Sequence, residues 1–243
     1  MTRPRICLVM ASYDPVNTRR NFRRELEADL VEFHTPKGEI PPLDTVTAFE
    51  EFDACVVTGS RASVYWDDPW IDDVQEWVGE AIDSGMPCLG VCWGHQLLAD
   101  VLGGDVQDMG EYEIGYRSVQ QVGDSRLFDG LDDEFTAFET HSDYVAKLPE
   151  PAELIAENEY GIQGFRQGDT FGVQFHPEYD MRTAEEVTRG KESLSQDRID
   201  AVVDGITDEA YAAACETKQL FDNFVDLVRE RRASAIETAA TSD

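Results

Sequence analysis

Short apolar runs alternate with amphipathic stretches along the first hundred residues, and this alternation limits the folds open to the chain. Helical periodicity at 18–30, 69–84 and 96–102 predicts three amphipathic helices. The apolar runs between them predict buried strands at 5–10, 31–34, 54–57 and 87–91. Strands that alternate with helices form a mostly parallel sheet with helices on both faces. The first half of the sequence therefore predicts an α/β fold.

The pattern changes in the middle of the chain and changes again near residue 180. Strand-like runs separated by short polar turns predict antiparallel additions to the same sheet, at 114–122, 134–139, 153–157, 162–166 and 170–175. Because no break in composition separates the two patterns, residues 1–180 are predicted to form one domain. Helical periodicity then returns at 201–206 and 208–232. We predict a C-terminal helical extension at 181–232, packed on the same domain, and a flexible tail at 233–243.

The charge balance of the chain is strongly acidic. Asp and Glu total 50 and Lys and Arg total 20, which gives a formal net charge of −30. Such a surface repels nucleic acid phosphates and anionic lipids, so we expect neither nucleic acid nor membrane partners. The carboxylates are spread along the whole sequence and lysines are few. This pattern favours a halophilic protein from a salt-rich cytoplasm, with an acidic mesophilic protein as the alternative.

Two further features indicate a cytoplasmic protein. The apolar stretch at 6–10 is too short for the core of a signal peptide, and no apolar run approaches the ~18 residues that a bilayer requires. The five cysteines are odd in number and none lies in a C-x-x-C pair. This usage is typical of a reduced, intracellular protein without a disulfide framework.

The segment Gly-Val-Cys-Trp-Gly-His-Gln at 90–96 carries the first sign of chemistry. Glycines stand two residues before and two after Cys92, between a predicted strand and a predicted helix. This is the layout of a nucleophile elbow, which exposes a reactive side chain above the end of a strand. The following helix N-terminus favours a thiolate, and the N–H of Trp93 would lie near a developing oxyanion. A buried cysteine beside a helix-opening turn is the alternative.

The segment Gly-Val-Gln-Phe-His-Pro-Glu at 172–178 supplies the groups that such a nucleophile needs. Residues two apart on an extended chain project to the same side, so His176 and Glu178 can face one space. A carboxylate beside an imidazole fixes its tautomer and stabilises the imidazolium. A lone histidine at a strand end is more often structural. Combined with Cys92, it predicts a Cys-His-Glu triad of nucleophile, base and orienting group.

The strings at 90–104 and 175–178 together resemble the class I, triad-type glutamine amidotransferases. Within that family the chain is most similar to stand-alone proteins related to the glutaminase domain of GMP synthase. The resemblance covers about residues 5–180. It implies a Rossmann-like, mostly parallel central sheet and glutamine as the substrate. It also implies that Cys92, His176 and Glu178 form the triad.

The resemblance implies roles for other positions. Thr-Gly-Ser at 58–60 matches the family's glycine loop, so the backbone N–H groups of Gly59 and Trp93 would form the oxyanion hole. We prefer His176 to His141 as the base because of the adjacent carboxylate of Glu178, and we expect His141 to shape the pocket. Substrate-binding roles fall on Gln96, Ser142 and Asp143. Ser142 stands where the family has glycine. This residue departs from the family pattern and bears on the backbone contacts expected at Ser142 and Asp143.

The implied reaction is hydrolysis of the glutamine side-chain amide through a γ-glutamyl thioester, with release of ammonia. Neither a cofactor nor a metal is expected, since no His, Cys and carboxylate cluster has metal-ligand spacing in the sequence. No string of the Ser-Gly-Gly-x-Asp-Ser or Walker type occurs. The ammonia would therefore pass to a separate synthetase subunit or to an unidentified acceptor. Two alternatives remain: a γ-glutamyl peptide or amine hydrolase, and a non-catalytic binding or regulatory protein on the same fold.

Overall fold

A computed structural model describes residues 3–242, and its strands form one nine-stranded sheet. The strands are β1 (Arg5–Met10), β2 (Asp29–His34), β3 (Ala54–Val57), β4 (Cys88–Val91), β5 (Asp105–Gln121), β6 (Glu134–Lys147), β7 (Glu153–Asn158), β8 (Gly161–Gln167) and β9 (Thr170–Val173). Their order across the sheet is β2-β1-β3-β4-β9-β8-β7-β5-β6. Neighbours from β2 to β9 pair in parallel, and those from β9 to β6 pair antiparallel. The predicted α/β fold with antiparallel additions is confirmed.

Helices flank the sheet and continue beyond it. They are α1 (Pro15–Glu25), α2 (Pro69–Asp83), α3 (Trp93–Val101), α4 (Met181–Arg189), α5 (Gln196–Asp204), α6 (Asp208–Ala214) and α7 (Gln219–Ser242). Side chains set several of their starts. Asp14 caps α1 by accepting from the Val16 N–H, and the side chain of Asp180 accepts from the Thr183 N–H at the start of α4. These caps satisfy backbone donors that have no partner inside the helix.

Alternate side chains of the central strands enter two separate cores, one on each face of the sheet. On one face, Ile6 and Leu8 of β1 pack with Phe22 of α1 and Phe221 of α7. On the other face, Cys7 of β1 packs in a cluster with residues of α2 and α3. Because both faces are covered, the central strands consist almost entirely of buried apolar residues.

Some predicted boundaries are wrong. Helix α1 ends at Glu25 rather than at residue 30, since Leu26 has an extended backbone. Strands β5 and β6 are much longer than predicted because they pair with each other along most of their length. The single helix predicted at 208–232 is divided by a 3₁₀ turn at Cys215–Lys218.

The C-terminal segment packs on the same sheet through α7. Its Leu220, Phe224 and Val228 are buried in the core cluster that contains β1. Helix α7 continues to Ser242, through most of the segment predicted as a tail, and Asp243 lies outside the described residues. The division into domain, extension and tail stays a prediction. No helix within residues 3–242 has the length and apolar character to cross a membrane.

Candidate active site

The predicted nucleophile and base meet at the carboxyl ends of neighbouring strands. Cys92 directly follows β4, and His176 lies three residues after β9, which pairs in parallel with β4. Gly59 lies two residues after β3, the neighbour of β4 on its other side. Carboxyl ends of parallel strands share one edge of a sheet, which is where α/β proteins bind ligands. The topology thus gathers these three segments into one site.

Cys92 has the backbone of a strained turn. Its φ is 54° and its ψ is −105°, a conformation that a non-glycine residue rarely adopts. Its N–H donates to the carbonyl of Val173, and its carbonyl accepts from the Gln96 N–H at the start of α3. The turn therefore passes from strand to helix within one residue. Backbone strain held in place by its surroundings is common at functional sites.

The two glycines that flank Cys92 permit the close approach of backbone that this turn needs. A Cβ on Gly90 would overlap the carbonyl of Gly94 and lie 2.7 Å from the backbone nitrogen of His95. A Cβ on Gly94 would overlap the carbonyl oxygen of Val57 at the end of β3. Glycine is the residue type that fits both positions, because the obstacles are backbone atoms and cannot rotate away.

His176 and Glu178 are held face to face. The imidazole Nδ1 lies 2.9 Å from Glu178 Oε1, and both side chains are almost fully buried. The backbone N–H of His176 donates to the carbonyl of Phe138 on β6, while Arg24 of α1 donates to the carbonyl of Glu178. The structure therefore fixes the short segment between the two side chains at both ends.

The remaining imidazole nitrogen is available to Cys92. Nε2 of His176 has no hydrogen-bond partner among the described residues outside the thiol that it faces. Burial by itself would lower the pKa of His176, but the Glu178 carboxylate and the Cys92 sulfur raise it to about 10. Tyr179 stacks on the imidazole with ring centroids 4.1 Å apart and planes 22° apart. These neighbours favour the imidazolium form at neutral pH.

Gly59 lies directly beside both of these side chains. A Cβ on Gly59 would be 3.0 Å from Cε1 of His176 and 3.7 Å from Cβ of Cys92. Trp93 begins α3, so its N–H has no partner within the helix. The assignment of the Gly59 and Trp93 amides to an oxyanion hole stays a prediction, supported by this proximity.

A cavity of about 560 Å³ opens onto Cys92. The predicted substrate residues Gln96, Ser142 and Asp143 all line it. The side-chain nitrogen of Gln96 donates to the carbonyl of Asp143 at 2.9 Å and to Oε1 of Gln174 at 3.0 Å. Both amide hydrogens are thereby occupied, which orients the Gln96 side chain. Two other segments also line the cavity, at 60–63 and at 190–193.

Comparison with known proteins assigns the chain to a family. A profile of the class I glutamine amidotransferases matches residues 11–191, about three quarters of the sequence. The chain belongs to the class I glutamine amidotransferase family. This membership indicates an enzyme that hydrolyses glutamine, and it confirms the resemblance found in the sequence.

Individual relatives of this amidotransferase agree with that assignment. It is 33% identical over 172 residues to the glutamine-hydrolysing GMP synthase of Thermosipho africanus, covering 69% of this chain and 31% of that protein. It is 36% identical over 146 residues to a glutamine-hydrolysing GMP synthase subunit of Sulfolobus acidocaldarius, covering 57% of this chain and 74% of that one. A glutamine amidotransferase of Thermotoga maritima shares the fold with a TM-score of 0.76 at 25% identity, covering 93% of this chain and 99% of that chain. The amidotransferase thus spans less than a third of the Thermosipho GMP synthase.

Behind the cavity wall the amidotransferase contains a buried cluster that the sequence did not reveal. Glu113 of β5 and His141 of β6 are opposite each other in the hairpin, and Glu139 precedes His141 by two residues. Nε2 of His141 lies 2.9 Å from Glu113 and 3.4 Å from Glu139. Neither carboxylate is exposed. Sequence spacing missed the cluster because Glu113 comes from a different strand.

The hydrogen bonds of His141 define its charge. Its Nδ1 lies 2.9 Å from the carbonyl oxygen of Asp143, which can only accept, so Nδ1 carries a proton. Nε2 faces the carboxyl groups of Glu113 and Glu139, whose negative charge favours a cation on the ring. Burial by itself would lower the pKa of His141, but Glu113 and Glu139 raise it well above its ordinary value. The imidazolium therefore supplies this cation and holds the loop that carries Asp143.

The same three side chains have metal-ligand spacing in three dimensions. Their ligand atoms lie within 4.8 Å of one another. The expectation that no such cluster exists was drawn from the sequence, and the structure corrects it. Absence of a metal from the reaction stays a prediction.

We expect Glu113→Gln to lower the free energy of unfolding by about 1.5–3 kcal/mol near pH 6, because His141 loses the charged partner that lies 2.9 Å from its Nε2. The pKa of His141 is raised by folding, so its stabilising contribution is complete below about pH 6.5 and is lost as pH rises through the folded value. The difference between variant and wild type should therefore shrink in alkaline solution. Denaturant unfolding at pH 6 and at high pH measures it.

The control for this variant is Glu153→Gln, which removes an exposed carboxylate paired with Arg166. Its effect should stay within about 0.5 kcal/mol at every pH. If Glu113→Gln and Glu153→Gln behaved alike, the charge assigned to His141 would be wrong.

Glu178→Gln should change the titration of His176. Without the carboxylate, the pKa of His176 should fall well below about 10, because burial lowers it and only the Cys92 sulfur still raises it. We expect kcat for glutamine to fall by about 10²–10⁴-fold, since the orientation and charge of the base are both lost. NMR of ring-labelled histidine follows the titration. The control is Glu185→Gln on the surface of α4, which should leave the pKa of His176 and kcat unchanged. An unaltered pKa of His176 in Glu178→Gln would contradict the role assigned to Glu178.

Proposed function

We propose that this amidotransferase hydrolyses the side-chain amide of glutamine with Cys92 as nucleophile, His176 as general base and Glu178 as the orienting group. The observation that carries the proposal is the convergence of these groups. The strained Cys92 turn lies on β4, and the buried His176–Glu178 pair follows the neighbouring strand β9. The arrangement supplies a nucleophile, a proton acceptor and a group that fixes the tautomer of that acceptor.

The reaction proceeds in two halves. The Cys92 sulfur attacks the amide carbon, its proton having passed to His176. Collapse of the tetrahedral intermediate breaks the C–N bond, and the imidazolium gives its proton to the departing ammonia. A γ-glutamyl thioester remains on Cys92. A water molecule that loses a proton to His176 then cleaves the thioester, and the proton returns to the sulfur as glutamate leaves.

Backbone and side-chain groups around the cavity suit the rest of the substrate. The N–H groups of Gly59 and Trp93 would hold the oxyanion. Both amide hydrogens of Gln96 are occupied, so its oxygen is available to accept from a bound ligand. The carboxylate of Asp143, which also accepts from Tyr65 at 3.1 Å, can bind an ammonium group. These contacts fit an amino acid with a side-chain amide.

We further propose that the ammonia passes to a separate synthetase subunit. The similarity to the Sulfolobus GMP synthase subunit, which the chain covers for 74% of its length, supports this arrangement. The acceptor itself stays unidentified. The excess of 50 acidic over 20 basic residues supports a salt-rich cytoplasm as the working environment.

The cavity favours a second candidate function, hydrolysis of γ-glutamyl peptides or amines by the same triad. A volume of about 560 Å³ lies within the range of about 300–1,000 Å³ that is usual for drug-sized ligands. Glutamine is much smaller than such ligands. The additional space is bounded by the 190–193 segment and would accommodate a larger leaving group than ammonia.

A substrate panel separates these functions. Purified protein is assayed in multimolar KCl for glutamate release from glutamine, γ-glutamylmethylamide and γ-glutamylglycine, with Cys92→Ala as the blank for contaminating glutaminases. Turnover of glutamine in preference to the other two supports the first function. Preference for the substituted amides supports the second. Folded protein that releases glutamate from none of them contradicts both and favours a binding role.

A further inference from the structure

One arginine of this acidic chain has no partner, although carboxylates outnumber basic residues. Thirteen of the sixteen arginines form ion pairs. Arg117 and Arg198 donate to backbone carbonyls. Within residues 3–242, Arg61 is the arginine that forms neither an ion pair nor a hydrogen bond. In a protein with 50 carboxylates, an unpaired guanidinium requires an explanation.

Arg61 lines the same cavity as Cys92. It follows the glycine loop at 58–60 and lines the cavity on that side. Its Nη2 would be 3.7 Å from a Cβ on Gly190, so the guanidinium lies beside the 190–193 segment. Its charge also acts on the hydroxyl of Tyr179, the residue that stacks on the catalytic imidazole. The free guanidinium thus lines the cavity onto which Cys92 opens.

A second cation comes from the C-terminal extension. Lys191, immediately after α4, lines the same cavity. It contacts the hydroxyl of Tyr112 and lies 4.6 Å from the centre of that ring, with no carboxylate paired to it among the described residues. Two positive groups, neither neutralised by a carboxylate of the described residues, therefore line the same cavity. The carboxylates of Asp143 and Glu192 also line the cavity, so it presents both signs of charge.

We propose that Arg61, assisted by Lys191, binds a carboxylate of the substrate in the outer part of this cavity. The inference rests on the proposed function, because it takes the γ-glutamyl group to be attacked at Cys92. A guanidinium forms two parallel hydrogen bonds with a carboxylate, which gives orientation as well as affinity. Asp143, which lines the same cavity, suits the ammonium group of the same amino acid.

The bound carboxylate has two possible sources in the substrate. It is either the α-carboxylate of the γ-glutamyl group or a carboxylate on the leaving amine, as in a γ-glutamyl amino acid. In the first case Arg61 serves every substrate, glutamine included. In the second it selects substrates whose leaving group is itself an acid. In both cases a guanidinium binds a carboxylate. The two cases differ in which part of the substrate carries that carboxylate.

Calorimetry distinguishes the two sources. Cys92→Ala, which binds without turnover, is titrated with glutamine, glutamine α-amide, γ-glutamylmethylamide and γ-glutamylglycine, with and without Arg61→Gln. Loss of a charged hydrogen-bond pair should weaken binding by about 10–100-fold. If the α-carboxylate is bound, Arg61→Gln weakens the binding of every ligand except glutamine α-amide. If the carboxylate of the leaving amine is bound, Arg61→Gln weakens the binding of γ-glutamylglycine only. Either pattern supports the proposal.

Controls make the result specific. Arg61→Lys should restore part of the lost affinity, and Arg182→Gln, an exposed change of equal charge on α4, should have no effect. Equal binding of all four ligands with and without Arg61→Gln overturns the proposal, as does failure of the Cys92→Ala parent to bind any of them.

Turnover provides the separate test of the proposed function. With Cys92 intact, Arg61→Gln should raise KM by about 10–100-fold for the same ligands and leave kcat within about threefold. If ligand binding depends on Arg61 but the wild-type protein shows no turnover, the proposed hydrolysis is rejected and the carboxylate site is supported. If turnover does not change in Arg61→Gln, the carboxylate site is rejected and the proposed hydrolysis is supported.

Discussion

Cys92→Ala is expected to lower kcat/KM for glutamine by about 10⁴–10⁶-fold, the scale seen when a nucleophile is removed from a triad. The thioester cannot form without the sulfur, and His176 can then act only on water. Cys92 also occupies a strained backbone position with φ 54°. Alanine can take the same turn, since it adds no bulk beyond Cβ. The loss should therefore appear in the rate rather than in the fold.

The measurement is glutamate release by wild type and variant, with circular dichroism to establish that both are folded. Cys215→Ala is the matched control, because Cys215 lies in the 3₁₀ turn before α7 and lines no part of the cavity. It should keep activity within about twofold. A Cys92→Ala protein with a tenth of the wild-type activity would show that another group performs the attack.

Gly94→Ala is expected to have the largest effect on stability, a loss of more than about 3 kcal/mol. The new Cβ would overlap the carbonyl oxygen of Val57 and lie 2.8 Å from its carbon. These are backbone atoms of β3, so no rotamer change relieves the overlap. Helix α3 would have to move away from the sheet, and the Cys92 turn would move with it. Activity should therefore fall together with the melting temperature.

Gly79→Ala is the matched control for this prediction, since Gly79 also lies within a helix. Its Cβ would be 3.5 Å from the nearest atom, Cγ1 of Val101, an ordinary contact. Alanine is preferred over glycine inside helices by about 0.5–1 kcal/mol. We expect Gly79→Ala to be neutral or stabilising. Equal unfolding midpoints for the two variants would refute the close approach of α3 to β3.

The strained backbone of Cys92 and the close backbone contacts at Gly90 and Gly94 belong to one arrangement. The turn places Cys92 at the cavity only if α3 starts directly after β4. This start requires α3 to lie against β3 and β4 without side chains between them. Gly90 and Gly94 provide that approach. The position of Cys92 is thus coupled to the packing of the core, and stability and activity should change together in variants of this turn.

The local parts of this site could be predicted from the sequence. The elbow glycines, Cys92 and the His-Pro-Glu string at 176–178 each belong to a short segment whose geometry depends on a few neighbouring residues. Alternation of strands and helices then placed the ends of parallel strands at one edge. Local hydrogen bonding and periodicity carry this information, which is why the predicted bounds of β1 and β3 agree with the structure.

Contacts between residues distant in the sequence could not be predicted in this way. The ion cluster joins Glu113 of β5 to His141 of β6, and nothing in either segment specifies the register of the hairpin. The cavity wall combines Arg61 with Lys191, which are 130 positions apart. The sequence by itself determined the fold class and predicted the reacting groups. The tertiary structure alone decided which charges lie beside them, because electrostatic energy depends on distance in space and on burial.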